Sequence, residues 1–534
     1  MKIPKTILTF SLFLFLLTAV TYCQYPNFRI YPSISNQIEP AIVQHPSNPQ
    51  IMFASAFTIY TSFRSEGVYV STNGGLNWHG TDTCTGTPIV NHGGDPGPII
   101  DKDGRFILTH QGGFVIGMFS NTSANMGSTW SNSLQIAAND QDKGNPVTDD
   151  VPSSPFYGRT YLMWTRFTSP FPIVFSYTTN SGQSWNAYTS INSSLAGHYS
   201  QGPFPSVGPQ GTVYVSWASS ILTSPFTEDF IGFAYSTNGG TSWNVNESIY
   251  DCNGIRSSSL QPWNIRVNGY PSMDIDKSGG SRNGWIYIVT AEKNLSPAGS
   301  DPDIVFHRST NGGINWSQGI RVNQDPLNNG KAQFLPFIRI DEAGGINVIY
   351  YDNRNTSDSC EVYLSRSGDG GNNWNDYLIS DHRFKPKSVS GAGAGNQGDN
   401  IGMTSANGKL LPLWMDDHSG VYQVWMAIID YTTIGVKNIS SEIPARFELK
   451  QNYPNPFNPN TRIIFHLPGS VTNNNIKLTV HNVLGEKIRT LVNNKMSSGV
   501  YEVVFDGTNL PSGIYFYRLT AEGFSQTKKM VLVK

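Results

Sequence analysis

The sequence contains little charge, little cysteine and, after its first 23 residues, no long apolar run. Lys and Arg number 36 and Asp and Glu 38 among 534 residues, so the formal net charge is −2. This balance excludes the basic field with which nucleic-acid-binding proteins attract phosphates. A membrane-spanning helix needs about 20 consecutive apolar residues, which no later segment provides. We therefore expect no nucleic-acid partner and no transmembrane segment.

Metal-binding patterns are also scarce. None of the 4 cysteines stands in a CxxC or Cys/His spacing of the kind that binds zinc. Asp101-Lys102-Asp103-Gly104 begins like a calcium loop but lacks the later ligands, so we interpret it as a turn between strands. We expect no metal and no cofactor. Cys84, Cys252 and Cys360 leave room for one disulfide, and the pairing stays open.

The N-terminus has the pattern of a secretory signal peptide. Lys2 and Lys5 precede an apolar run from Ile7 to Val20, and small residues at Thr21 and Cys23 suit a cleavage that leaves Gln24 first. We predict a signal peptide over residues 1–23, and hence an exported protein.

Turn-forming and aromatic residues are abundant, with 52 Gly, 32 Pro and 12% aromatics, which favours an all-β protein. One octad recurs six times: Ser or Thr, any residue, Asn or Asp, any residue, Gly, two further residues and Trp. Its closing tryptophans lie 52 to 73 residues apart, a period typical of repeat architectures. The third and last octad residues are Asn73 and Trp78, Asn125 and Trp130, Asn180 and Trp185, Asn238 and Trp243, Asn311 and Trp316, and Asp369 and Trp374.

A second pattern, a strand, a turn and another strand, occurs seven times, and a third strand follows each copy. The copies begin at Glu39, Asp95, Val151, Gly202, Gly269, Phe334 and Ile401. Four antiparallel strands repeated around an axis form a β-propeller. The seventh copy has no octad, so we predict that Asn27–Ser33 supplies its outer strand and closes the ring. We predict a propeller over residues 24–436 with seven blades, or six if the second or third unit is not a full blade.

The octads resemble Asp-boxes, also called bacterial neuraminidase repeats, a family with a sialidase-like β-propeller fold. The resemblance implies that each octad is the turn between the third and fourth strands of a blade, opposite the usual site, and that its residues are structural. Only Asp369 matches the family's Asp, and the other five octads have Asn. An Asn side chain can accept the same turn hydrogen bonds.

Residues 437–446 have the composition of a linker, and residues 447–534 predict a small Ig-like β-sandwich. This segment resembles the type A sorting domain of the type IX secretion system, in LKQNYPNPFNP from Leu449, VHNVLGEKIRTL from Val480 and the closing KKMVLVK. The resemblance implies a Bacteroidetes-like bacterium, the type IX secretion machinery as a partner, and a location at the cell surface or outside the cell.

Sialidases resemble one another in a Phe-Arg-Ile-Pro motif whose Arg binds the substrate carboxylate. Phe28-Arg29-Ile30-Tyr31-Pro32 is similar, but it contains an inserted Tyr31 and lies before the first blade, where Pro40 takes the position of the family's proline. We therefore assign Arg29 to the closing strand.

Ligand-binding residues of a propeller are expected on the loops at one end of its channel. The loops after the second strands offer Arg166, Trp217, Glu292, Asp352, Arg354, Asp416 and Asp417 as candidates. The connections before the first strands add Glu39, Asp95, Asp149, Asp150, Gln333 and Asp399. Carboxylates are plentiful and arginines few, and no catalytic residue is assigned.

Two functions follow from these features, and the sequence leaves both open. We predict an exported propeller that binds an extracellular glycan or protein without catalysis, because no arginine occupies the position at which the sialidase Arg binds the substrate carboxylate. The alternative is a glycoside hydrolase of exo-sialidase type acting on extracellular glycans, with a carboxylate pair as acid and base. A third hypothesis is a structural protein of the cell surface or matrix, whose propeller serves only as a spacer or for adhesion.

Overall fold

The computed structural model describes residues 25–60, 63–84, 92–113, 115–393, 395–431, 434–440, 442–472, 474–507 and 510–534. The predicted signal peptide, residues 1–23, lies outside the described residues. Every regular element in the described part is a β-strand, so the all-β prediction is confirmed. Within the same residues no helix has the length and apolar character that crossing a bilayer requires.

Six four-stranded antiparallel sheets follow the short first strand β1 (Asn27–Arg29) along the described chain. The first three sheets contain β2 (Asn36–Gln44), β3 (Met52–Tyr60), β4 (Phe63–Ser71) and β5 (His79–Thr81); β6 (Gly97–Ile100), β7 (Phe106–Gln111), β8 (Gly117–Ser123) and β9 (Leu134–Ala138); and β10 (Gln141–Thr148), β11 (Thr160–Arg166), β12 (Ile173–Thr178) and β13 (Thr189–Ser190). The fourth sheet contains β14 (His198–Val207), β15 (Val213–Ile221), β16 (Glu228–Ser236) and β17 (Asn244–Asp251), and a separate hairpin, β18 (Ser257–Leu260) and β19 (Ile265–Val267), follows it. The fifth and sixth sheets contain β20 (Ser272–Ile275), β21 (Ile286–Glu292), β22 (Asp303–Ser309) and β23 (Ile320–Arg321); and β24 (Gln333–Ile340), β25 (Ile346–Asp352), β26 (Glu361–Ser367) and β27 (Asn375–Leu378).

A seventh sheet closes the ring by joining the two ends of the propeller. It contains β28 (Gly402–Ala406), β29 (Lys409–Asp416), β30 (Gln423–Ala427) and the short β31 (Ile429–Asp430), which pairs with β29. Its outer strand is β1, paired with β30 so that Arg29 lies opposite Trp425. The first strands of the seven sheets contact one another in a closed cycle, β2, β6, β10, β14, β20, β24, β28 and β2 again. The assignment of Arg29 to the closing strand is confirmed.

The six octads form the turns between the third and fourth strands of the first six sheets. In each, the first Ser or Thr hydroxyl accepts a hydrogen bond from the amide of the octad glycine at 2.8–3.0 Å. The third residue's side-chain oxygen accepts one from the amide of the seventh residue at 2.9–3.0 Å. Asn and Asp perform the same task, because only an acceptor oxygen is needed.

The third sheet departs from the sequence prediction. We expected its first strand after Val151, but the first strand is β10, which pairs with β11 from Gln141 to Thr148. The polar sequence QDKGNPVT does not have the apolar pattern of a buried strand, because it faces the central channel rather than a packed core. As a consequence Asp149 and Asp150 follow this strand instead of preceding it.

The C-terminal segment forms two four-stranded sheets that enclose one apolar core. Their strands are β32 (Val436–Ser440), β33 (Glu448–Leu449), β34 (Asn460–Leu467), β35 (Asn474–His481), β36 (Lys487–Met496), β37 (Gly499–Asp506), β38 (Gly513–Ala521) and β39 (Phe524–Leu532). The predicted linker, residues 437–446, begins with most of β32, which pairs with β37. That strand belongs to the sandwich because Val436 is buried in its core.

The three cysteines that the structure describes are all buried free thiols, at positions 84, 252 and 360. The single disulfide that the sequence allowed is therefore absent from the described residues. Burial raises the pKa of Cys360, and the carboxylates of Asp352 and Glu361 raise it further, so this thiol stays protonated and unreactive.

Candidate binding site at the channel mouth

In five sheets, a residue at or just before the start of the channel-lining part of the first strand has a left-handed backbone conformation. These residues are Glu39 (φ 57°), Asp95 (φ 52°), Lys143 (φ 54°), Gly202 (φ 65°) and Leu335 (φ 51°). Four of them stand at bulges, where two residues face one on the neighbouring strand. A bulge bends its strand and redirects the side chain. Pro follows four of the five, and it leaves no amide unpaired at the irregular position.

Lys143 is the centre of the charged cluster at this mouth. Its ammonium group lies 2.7 Å from Asp95 Oδ1 and 3.2 Å from Asp399 Oδ2. The Lys143 side chain is only 14% exposed. Burial opposes its charge, but Asp399, Asp95 and Glu39 together raise the pKa of Lys143 well above its usual value. The lysine therefore stays charged and joins the second, third and seventh sheets.

The inserted hairpin β18–β19 brings two arginines to the same cavity. Arg266 donates to Asp399 Oδ2 at 2.7 Å. Arg256 donates to the hydroxyl of Tyr270 and, at 3.3 Å, to Gln201 Oε1. Neither arginine lies on a propeller strand, so the insertion completes the wall of the mouth.

The carboxylates of the mouth titrate in opposite directions. Burial raises the pKa of Glu39 to about 7, and nearby Asp95 and Asp399 also raise it, against the pull of Lys143. Burial would also raise the pKa of Asp399, but Lys143 and Arg266 outweigh it and hold that pKa below its ordinary value. At neutral pH the mouth thus holds one carboxyl group that is partly protonated beside one that is fully ionised.

A cavity of about 330 Å³ opens at this end of the channel. Charged and amide side chains dominate its described wall, namely Glu39, Asp95, Gln111, Asp142, Lys143, Gln201, Arg256, Arg266, Asn268, Asn396 and Asp399, with Phe57, Phe167 and Tyr270 beside them. The amide of Gln201 donates to Asp142 Oδ2 at 2.7 Å, and Gln111 donates to both Asp95 and Asp142. Such convergence of polar groups in a concave site is typical of ligand binding.

The seven residues proposed from the loops after the second strands are absent from the described wall of this cavity. Trp217 is fully buried in the core between sheets. Arg166 pairs in register with Gln141 at the strand end. Glu292 is buried and accepts a hydrogen bond from Thr290 at 2.5 Å.

The remaining candidates form local pairs outside the described cavity wall. Arg354 lies 2.6 Å from both Asp352 and Asp376, a buried ion network within the sixth sheet. Asp416 accepts hydrogen bonds from Trp414 at 2.8 Å and from His382 at 2.9 Å. Asp417 pairs with Lys387. These contacts are internal to the protein.

Of the residues before the first strands, Glu39, Asp95 and Asp399 line the mouth. Gln333 is buried opposite Asp352, and Asp149 and Asp150 lie beyond the far end of β10. The sequence analysis missed Lys143, Arg256 and Arg266. Lys143 could have been found from the sequence, because it precedes a Gly at a position where most of the other inner strands have a residue before Pro. Arg256 and Arg266 lie on a hairpin outside the repeat, so no repeated pattern points to them.

Residues 451–534 match the family described as a secretion system C-terminal sorting domain. The chain therefore carries the tail of proteins exported by type IX secretion to the cell surface or the extracellular space, as predicted. No curated protein matches the chain.

Several solved structures are similar to the chain at low identity. A protein of unknown function from Dyadobacter fermentans is 12% identical over 88% of this chain and 99% of its own, with a TM-score of 0.36. An alpha-L-arabinofuranosidase from Fusarium graminearum is 11% identical, covering 75% and 98%, with a TM-score of 0.39. The sialidase NanB of Streptococcus pneumoniae is 11% identical, covering 76% and 70%, with a TM-score of 0.36. Similarity at this level carries no argument about activity.

Proposed function

We propose that this exported propeller binds a neutral saccharide at the channel mouth and does not cleave it. One observation carries the proposal: each cation of the mouth already has partners within the cluster. Lys143 and Arg266 share the carboxylate of Asp399, and Arg256 holds Tyr270 and Gln201. A carboxylate-bearing sugar would have to displace these partners and would meet further carboxylates.

A neutral saccharide suits the same wall. Its hydroxyl groups can donate to carboxylates such as Asp142 and accept from amides and guanidinium groups without a change of charge in the cluster. The half-buried rings of Phe167 and Tyr270 add apolar surface for the carbon face of a sugar ring. This preference also argues against a sialic acid as the ligand.

A glycan array carrying neutral and sialylated glycans, followed by titration calorimetry with the full-length protein, tests the proposal. We expect binding to neutral glycans, and at least about tenfold weaker binding by Asp142→Asn, because Gln111 and Gln201 lose the carboxylate that orients them. Asp417→Asn, outside the cavity, is the matched control and should bind normally. Binding only to sialylated glycans would contradict the proposal.

A second candidate is a glycoside hydrolase that acts on neutral glycans. The observation that favours it is the split between Glu39, with a pKa of about 7, and the ionised Asp399, since an acid and an ionised carboxylate are what glycosidases use. Fluorogenic glycosides of neutral sugars separate the two candidates. Turnover that Glu39→Gln abolishes would replace the binding proposal with this one.

A further inference from the structure

Below the mouth, the central channel continues as a cavity of about 560 Å³ that shares Asp95, Lys143, Tyr270 and Asp399 with the mouth cavity. Its far end carries the ion pair of Lys277 with Asp150, at 2.8 Å. The two cavities are therefore adjacent and share these side chains as part of their walls.

The inner strands line this channel in layers. Because side chains alternate along a strand, residues two and four positions after the left-handed residue face the same way. The upper layer contains Ala41, Gly97, Asn145, Phe204 and Phe337. The lower layer contains Val43, Ile99, Val147, Ser206 and Arg339. The upper layer thus combines two large aromatic rings with small residues on the neighbouring strands.

The two phenylalanines come from sheets that are not neighbours in the ring. Phe204 lies on β14 and Phe337 on β24, and their ring centroids are 5.7 Å apart at 68°. They meet because the intervening strand β20 starts with the small Ser272, whose hydroxyl accepts a hydrogen bond from the amide of Ile338 at 3.1 Å. Both rings are only half-buried, although they face a cavity inside the molecule.

The lower layer sets the depth of this apolar compartment. The guanidinium of Arg339 lies 5.7 Å from the Phe337 ring centroid, and its Nη1 lies 3.4 Å from Asp274 Oδ2. Thr404 and Ser206 place hydroxyl groups nearby. A flat aromatic group in the upper layer would therefore lie near the Arg339 guanidinium, which interacts more favourably with an aromatic face than with an alkyl chain.

We propose that this compartment binds the aromatic aglycone of a glycoside whose sugar occupies the mouth. The inference rests on the proposed function for the position of the sugar. Aromatic rings prefer edge-to-face or offset contacts at centroid separations of about 4.5–7 Å, and the tilted Phe204–Phe337 pair offers a free ring edge and face for a third ring. A cavity of about 560 Å³ is also within the range of ligand sites.

The experiment compares phenyl, octyl and methyl β-D-glucopyranosides, the matching galactopyranosides, and free phenol, by titration calorimetry and ligand-observed NMR with the full-length protein. We expect the phenyl glycosides to bind at least about tenfold more tightly than the methyl glycosides and more tightly than the octyl glycosides. Equal binding of phenyl and methyl glycosides would overturn the inference and leave the proposed function intact.

Phenol separates the two proposals further. Saturable binding of phenol without binding of any glycoside would support the aromatic compartment and contradict the sugar site. We expect Phe204→Ala to remove the phenyl advantage, and Phe337→Leu to reduce it by at least about threefold with less risk to folding. Ile314→Ala, on an octad turn and 71% exposed, is the control and should leave it unchanged. A phenyl advantage that survives both phenylalanine substitutions would place the ring elsewhere and overturn the inference.

Discussion

The two ends of the propeller are built on opposite principles. At the octad end, six turns repeat the same hydrogen bonds within eight residues. At the mouth, the left-handed position carries a different kind of residue from sheet to sheet, such as the acidic Glu39, the cationic Lys143 and the small Gly202. Repetition stabilises the fold, and departure from repetition creates the site.

The largest test of this comparison removes the cation at the centre of the mouth. Lys143→Met should lower the free energy of unfolding at pH 7 by about 3–5 kcal/mol, because Asp95 and Asp399 then remain buried without their shared partner. Denaturant unfolding measures the loss. The control is Lys277→Met at the far end of the channel, whose pair with Asp150 is 37% exposed on both sides and should contribute less than about 1 kcal/mol. Equal losses would show that the mouth cluster is ordinary surface charge.

The second test asks how strictly the octad end depends on its glycines. Gly313 has a φ of +90°, and a Cβ there would overlap the ring of Phe233 in the preceding sheet. Gly313→Ala should therefore cost about 2–4 kcal/mol, combining backbone strain with overpacking. The adjacent Gly312 has a φ of +73° and open space around its Cβ position, so Gly312→Ala should cost only about 1 kcal/mol. Thermal unfolding of the two variants distinguishes packing from strain, and matching losses would rule out the packing term.

What could be predicted from the sequence follows the same division. The sequence predicts the octads, the apolar second strands and the closing strand at Asn27–Arg29. These elements depend on hydrogen bonds between neighbouring residues or on the repeat period, and both can be recognised in a single sequence. The mouth depends on residues far apart in the sequence. Lys143 lies on a polar strand that did not have the pattern of a core element, and Arg256 and Arg266 lie on an insertion without a repeat equivalent.

The charged candidates at the ends of the second strands are absent from the described cavity wall, whereas Glu39, Asp95 and Asp399 line it. Asp352 and Asp416 do end second strands, yet they form local pairs with Arg354 and His382. The bulges that redirect the inner-strand side chains leave only a weak signal in the sequence, which is a Pro or Gly after the left-handed residue. The residues of the mouth come together only when the sheets close into a ring, so their proximity cannot be recognised in the sequence.

The smallest expected effect concerns pH, and it contrasts one carboxyl group from each end. Burial raises the pKa of Glu39 from 4.5 to about 7, so the native state binds its proton more tightly than the unfolded chain does. The stability that Glu39 contributes is therefore present below about pH 4.5 and is lost as the pH rises to about 7. Glu39→Gln should remove this slope, and it should gain stability relative to the wild type as the pH rises through that window.

Asp369 behaves in the opposite way: burial works against its charge, but hydrogen bonds from Asn373, Ser367 and Asn372 lower its pKa below 3.8. Its contribution is present above that value and is lost at lower pH, so Asp369→Asn should differ from the wild type at neutral pH and converge with it in acid. Denaturant unfolding between pH 2.5 and 8 measures both slopes, and slopes of the same sign would contradict the assignment of a buried acid to the mouth and a hydrogen-bonded carboxylate to the turn.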